Sequence, residues 1–215
     1  HVNSAYTYGF CHATNHIVIY RKEEWFKVLI HETFHSFALD EKLIDNKYLD
    51  DKVQTIFPLN SKIMVNESYC ESWAIIWNSI FHSFLAQPNN VNLFLKSFKY
   101  IYSYECSFSY YQVTKILHHF GLKYNELYEN KSKYTTYKEG TSVFSYYILK
   151  SNTIQNINDF LQLCGNDNNI LLFNTTYDKY YQFIANTYKK IKYTDIEIKN
   201  KETVRTLRMS VFDFQ

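Results

Sequence analysis

Four glycines and two prolines in 215 residues leave this chain few places at which a helix has to stop. Gly and Pro are the strongest local breakers of regular structure, so their scarcity favours long helices joined by few turns. The hydrophobic pattern points the same way. Residues 23–39 carry Phe26, Leu29, Ile30, Phe34 and Phe37 at spacings of three and four, one apolar stripe of a helix. Glu23 and Glu24 fall in its first turn, where the helix dipole favours acidic side chains. A second helix is predicted over 62–86, stopped near Pro88, and a third over 91–119, ending at Gly121. Segments 141–151, 154–163 and 175–191 read as further helices. Strand composition precedes them in HIVIY, residues 16–20, directly ahead of the first helix. The acid-rich connection 41–62, with Pro58 and Asn60 marking a turn, has room for a short helix or a lid. The tail TVRTLRMSVF reads equally as strand or helix. The length fits one domain over 1–215 with a real hydrophobic core.

Composition narrows the function classes. A net charge of +2 without a dense Lys/Arg cluster argues against nucleic-acid binding, which rests on neutralising phosphates. The YKKIKY stretch around Lys189, Lys190 and Lys192 reads as a solvated helix end. No apolar run approaches the roughly 18 to 20 residues of a membrane span, so no membrane partner is expected. Cys11, Cys70, Cys106 and Cys164 show no C-x-x-C pairing, which fits a reducing compartment such as the cytoplasm. The chain opens on His1 with neither a basic start nor the apolar run of a signal peptide, as expected for an excerpt of a longer chain. Abundant Tyr, Phe, Asn, Lys and Ile resemble what AT-rich genomes encode, those of some protists and large DNA viruses among them.

The chemistry concentrates in the first helix. His31, Glu32 and His35 form an H-E-x-x-H pattern inside an otherwise apolar run. Residues four apart share a helix face, so His31 and His35 can offer two imidazole nitrogens to one metal ion. Glu32 would then lie beside the metal, placed to take a proton from water and pass it to a leaving amine. The competing reading is a helix whose histidines are satisfied at a core boundary, with Glu32 in solvent. A catalytic zinc has three protein ligands, so a third must come from elsewhere. The second helix offers VNESYCES, residues 65–72, with Glu67 and Glu71 four apart. Taken alone, Glu67, Glu71, Asn78 and His82 also describe the wet face of an amphipathic helix.

Together, H-E-x-x-H and the later N-E-x-x-x-E resemble the gluzincin family of metallopeptidases, the thermolysin-like group, whose second motif is N-E-x-x-x-D. The expected fold class is α+β, mostly α; the resemblance covers roughly residues 16–75 and implies a zincin-like fold, with a small N-terminal sheet packed on the active-site helix and several long helices. The implied activity is zinc-dependent hydrolysis of peptide bonds in a peptide or protein substrate. Asn66 and Glu67 match the family motif, which makes Glu67 the third Zn2+ ligand. Glu71 stands where the family has Asp, one methylene longer, in the place of the carboxylate that orients His31. The connection from His35 to Glu67 is longer than in thermolysin. The metzincin pattern is disfavoured, because Ala38 and Glu41 stand where that family needs Gly and His.

In zincins a strand edge beside this helix pairs with the extended substrate, and HIVIY precedes the helix in the right order. VNSAYTY (Asn3, Ala5, Tyr6) carries a faint echo of the family's N-A-aromatic segment, interrupted by Ser4. Candidates for stabilising an oxyanion or gripping substrate are Tyr146, Tyr147, His118, His119, Arg205 and Arg208. The alternative function is a zincin-like module that cleaves nothing and serves in binding or structure.

Overall fold

The computed structural model describes residues 4–9, 11, 13–43, 47–129, 136–165, 171–173, 175–194 and 207–214. Among them the chain is mostly helical, with one two-stranded antiparallel sheet. Strands β1 (Ala5–Thr7) and β2 (Ile17–Ile19) pair with Ala5 opposite Ile19 and Thr7 opposite Ile17. Helices follow: α1 (Trp25–Ser36), α2 (Lys47–Ile56), α3 (Val65–Ala86), α4 (Val91–Phe120) and α5 (Glu126–Glu129). A π-helical turn, Phe144–Leu149, runs directly into α6 (Lys150–Gln155), and α7 (Ile157–Cys164) and α8 (Tyr177–Thr187) complete the order.

Helix α3 is the centre of the molecule, packing against α1, α4, α6 and the π-helical turn. Its sequence explains why. Tyr69, Cys70, Trp73, Ala74, Ile75 and Ile76 are apolar around the whole circumference, and a helix of that kind is stable only when covered. The polar residues among them are satisfied locally: Ser72, Ser79 and Ser83 donate to the carbonyls of Ser68, Ile75 and Ser79 at 2.6–2.8 Å. Aromatic rings fill the surrounding space, with Trp73 against Phe34, Phe160 and Phe173, and Tyr69 against Phe160 and Tyr180.

Several local expectations change. Helix α1 starts at Trp25, and Glu24 precedes it in a left-handed conformation (φ 65°) with its side chain buried. Its Oε1 accepts the backbone N–H groups of Met209 and Ser210, both at 2.6 Å, so Glu24 anchors the C-terminal segment instead of decorating an exposed helix start. Glu105 of α4 does the same from the other side, accepting from Ser210 Oγ, Val211 N and Phe212 N. The described part of the tail, 207–214, is therefore neither strand nor helix: buried carboxylates satisfy backbone groups that a ladder would otherwise take. The 41–62 connection contains α2, and α5 lies between the helices expected over 91–119 and 141–151. No helix among the described residues is long and apolar enough to cross a membrane.

Candidate metal centre

Helix α1 presents Lys27, His31 and His35 at successive i, i+4 positions, and α3 faces them with Glu67 and Glu71. His31 Nε2 lies 3.0 Å from His35 Nε2 and 3.2 Å from Glu67 Oε2, and His35 Nε2 lies 3.4 Å from the same oxygen. A tetrahedral zinc with ligand bonds of 2.0–2.1 Å holds neighbouring donors about 3.3 Å apart. The three donors already describe such a face. Two imidazole nitrogens facing each other at 3.0 Å cannot both present lone pairs unless a proton or a metal lies between them. The donor set of two nitrogens and one carboxylate oxygen suits zinc, so these residues fit the ion that the motif implies.

The outer ring nitrogens are occupied by carboxylates. His35 Nδ1 pairs with Asp40 Oδ2 at 2.7 Å. His31 Nδ1 lies 3.0 Å from Glu71 Oε2, out of line for a formal hydrogen bond but within ion-pair distance. Each carboxylate favours the proton on Nδ1 and so turns the Nε2 lone pair toward the shared centre. Glu71 is itself clamped by Lys27, whose Nζ donates to Oε1 at 2.7 Å and Oε2 at 2.9 Å, both side chains about 1% exposed. Burial alone would raise the Glu71 carboxyl, but Lys27 and then His31 overcome it and hold it down to about 2.

Neighbouring groups follow the same balance. Burial would lower His31, yet Glu67 and Glu71 raise it. Burial opposes charge on His35 as well, but Cys70, Asp40 and Glu67 raise it. Burial pushes the Cys70 thiol up to about 12, so it is neutral at ordinary pH. Burial raises the Glu32 carboxyl despite the two histidines, which moves it toward the range in which a group can both accept and return a proton.

The turn after α1 explains how Asp40 reaches His35. Leu39 N donates to Phe34 O and Ala38 N to His35 O, a Schellman ending with Ala38 at φ 56° where glycine is usual. The chain reverses within three residues and carries Asp40 back against the helix. Asn66 Nδ2 lies 3.4 Å from Asp40 Oδ2, so Asn66 supports Asp40.

Of the sequence candidates, His31, Glu32, His35, Asn66, Glu67, Glu71 and Tyr146 line one cleft of about 330 Å³. Tyr146, on the π-helical turn, donates its hydroxyl to Glu67 Oε2 at 2.9 Å. Tyr147 points the other way, fully buried with its ring beneath Lys150 Nζ, because adjacent helical residues occupy different faces. Arg208 pairs with Asp213 and lies outside the cleft lining, as do His118 and His119 in the last turn of α4. Arg205 and Asn3 are outside the described residues. The polar stripe of α3 is not a wet face, since Glu71 and Asn78 are buried; His82 stacks on Phe214.

The strand along the cleft is also not HIVIY. Ser4 to Gly9, containing β1, line it, and β2 stands behind. Tyr20 N donates to Ser4 O, and alternation in an antiparallel ladder turns the N–H and C=O groups of Ala5 and Thr7 toward the opposite edge. Lys27 and Asp40 were missed from sequence. Lys27 had a signal, lying four residues before His31 on the same face of an apolar helix; Asp40 had none, because a turn delivers it.

No protein-family model matches the chain, and no solved structure matches it. Among curated proteins it is similar to an uncharacterized protein of Acanthamoeba polyphaga mimivirus, 25% identical over 171 residues. The match covers 78% of this chain and 43% of that protein, so the chain spans less than half of the relative's length. The relative comes from a giant virus, a source of the kind that the composition resembles.

Proposed function

We propose that the protein is a zinc-dependent metallopeptidase of gluzincin type with a zincin-like fold. The observation that carries this reading is the triangle of His31 Nε2, His35 Nε2 and Glu67 Oε2 at 3.0–3.4 Å, with a carboxylate behind each imidazole and Glu32 in the same cleft. Zinc held by His31, His35 and Glu67 would supply Lewis acidity toward a carbonyl oxygen and make water acidic enough to attack near neutral pH.

The protein's own groups divide the remaining work. Glu32, with its carboxyl raised by burial, takes a proton from the attacking water and returns it to the leaving amine. Tyr146, whose hydroxyl lies in the cleft, turns its one proton from Glu67 toward the oxyanion that develops on the substrate carbonyl. The outward N–H and C=O groups of Ala5 and Thr7 offer an extended peptide a strand to pair with.

The test is cleavage of a mixed peptide library by zinc-loaded protein, compared with Glu32→Gln and Tyr146→Phe. Glu32→Gln should bind zinc as before and lose turnover. Tyr146→Phe should lose about 10²-fold in kcat, as for removal of one oxyanion donor. Unchanged cleavage in Glu32→Gln would reject the mechanism, and stoichiometric zinc without cleavage would leave a binding module.

A further inference from the structure

The distal half of the α3–α4 hairpin has no part in the cleft, and its chemistry differs from the rest of the chain. Phe84, Leu85, Val91 and Leu95 surround the turn that joins the two helices and are 47–73% exposed. Phe81 and Leu93 add 39% and 44%. Isolated exposed apolar residues are ordinary, but six at one tip are not. Nor is the charge ordinary. From residue 72 to residue 104 there is no Asp or Glu, whereas 21 acidic residues in 215 would place about three there; the charged side chains in that stretch are Lys96 and Lys99.

We infer that this hairpin tip docks on the surface of an anionic lipid bilayer. The residues are arranged in order of depth. At about 1.5 Å per residue along α4, Lys96 and Lys99 lie roughly 8 and 12 Å behind Val91, and Tyr100 and Tyr104 roughly 14 and 20 Å behind it. An interfacial element buries its apolar part about 5–10 Å into the headgroup boundary, which puts both lysines among the phosphates. Tyr100, 61% exposed and one residue's rise behind Lys99, then lies at the headgroup level where amphipathic rings collect. An exposed apolar hairpin end suits insertion into a fluid interface, and the charges that the hairpin itself carries beside that end, Lys96 and Lys99, match an anionic surface; Asp213, which faces His82, is paired with Arg208. No membrane-spanning helix is needed for this. Glu67 would stand roughly 27 Å from Leu85 along α3, so the cleft stays clear of the bilayer.

The experiment is co-sedimentation of the full chain with vesicles of phosphatidylcholine alone or with about a third phosphatidylserine. Binding to the anionic vesicles is expected, weakened roughly thirtyfold in Lys96→Gln/Lys99→Gln at about fivefold per lysine, and lost in Phe84→Ser/Leu85→Ser. All four positions are exposed, so both variants should keep the wild-type melting temperature. Absence of binding, or equal binding to neutral and anionic vesicles, would overturn the inference. Concentration-dependent self-association that disappears in Phe84→Ser/Leu85→Ser, without vesicle binding, would also overturn it and make the tip a contact between copies. Zinc and catalysis do not enter any of these outcomes.

Discussion

Replacing Lys27 with Met should destabilise the protein by about 3 kcal/mol at neutral pH, and the loss should shrink in acid. Lys27 and Glu71 form a buried pair at 2.7 and 2.9 Å, and methionine fills similar volume without the charge. A carboxyl held at about 2 instead of its usual 4.5 contributes about 3 kcal/mol at neutral pH, at 1.36 kcal/mol per pH unit. That agrees with the roughly 3–5 kcal/mol lost when one partner of a buried ion pair is removed. The sign follows from the depressed folded value. Glu71 contributes fully above the unfolded carboxyl's 4.5, and its contribution is lost as pH falls from there toward about 2. Urea unfolding of metal-free protein at pH 7 and pH 3 would measure the loss and its decline, to less than half at the lower pH, with Glu71→Gln and the double variant completing the cycle. Most of the loss should vanish in the Glu71→Gln background, where no buried charge is left unpaired. A loss below about 1 kcal/mol at pH 7, or an equal loss with and without the Glu71 charge, would refute the reasoning.

Asp40→Asn should weaken zinc binding about 10- to 100-fold with little change in fold, measured by competition against a chromophoric chelator, because it removes the charge behind His35 Nδ1. Zinc binding should release protons at neutral pH and tighten as pH rises, because both histidines are raised in the metal-free protein and must be neutral to ligate. Calorimetry in buffers of different ionisation enthalpy checks this, and a buffer-independent heat would contradict it. Ala38→Gly should stabilise the fold by about 0.5–1 kcal/mol in chemical denaturation, since Ala38 stands at φ 56° in a turn where glycine carries no Cβ penalty.

What could be read from the sequence followed the range of the physics involved. Helices α1, α3 and α4 were legible because their apolar periodicity is local and Pro88 and Gly121 punctuate it. The pairing of His31 with His35 was legible because helix geometry alone fixes it. Glu67 and Glu71 were legible through the family resemblance, as spacing on α3 cannot say which helix they face. What was lost depends on the path of the chain in space. β1, only three residues long, has too few positions to display alternation, so HIVIY looked like the strand on the cleft. Tyr146 and Tyr147 are neighbours in sequence, and only packing sends one to Glu67 and the other into the core. Glu24 looked like a dipole-favoured residue at a helix start, because the sequence does not show a segment 185 positions away laying its N–H groups on that carboxylate.

That last contact changes how the site should be viewed. Met209 gives its N–H to Glu24, takes a hydrogen bond from Lys150 Nζ on its carbonyl at 3.1 Å, and receives Lys27 Nζ at 3.4 Å on its sulfur, while its side chain lines the cleft. Lys27 in turn grips Glu71, and Glu71 faces His31. A tail without regular structure is thus tied through two side chains to a candidate zinc ligand. The tie has a physical reason: α1 carries Lys27 into a core of low polarity, where an ammonium group persists only if every proton finds an acceptor. Glu71 supplies two acceptors and Met209 the third. Burial of the lysine, orientation of the histidine and docking of the tail are one electrostatic requirement satisfied at one place.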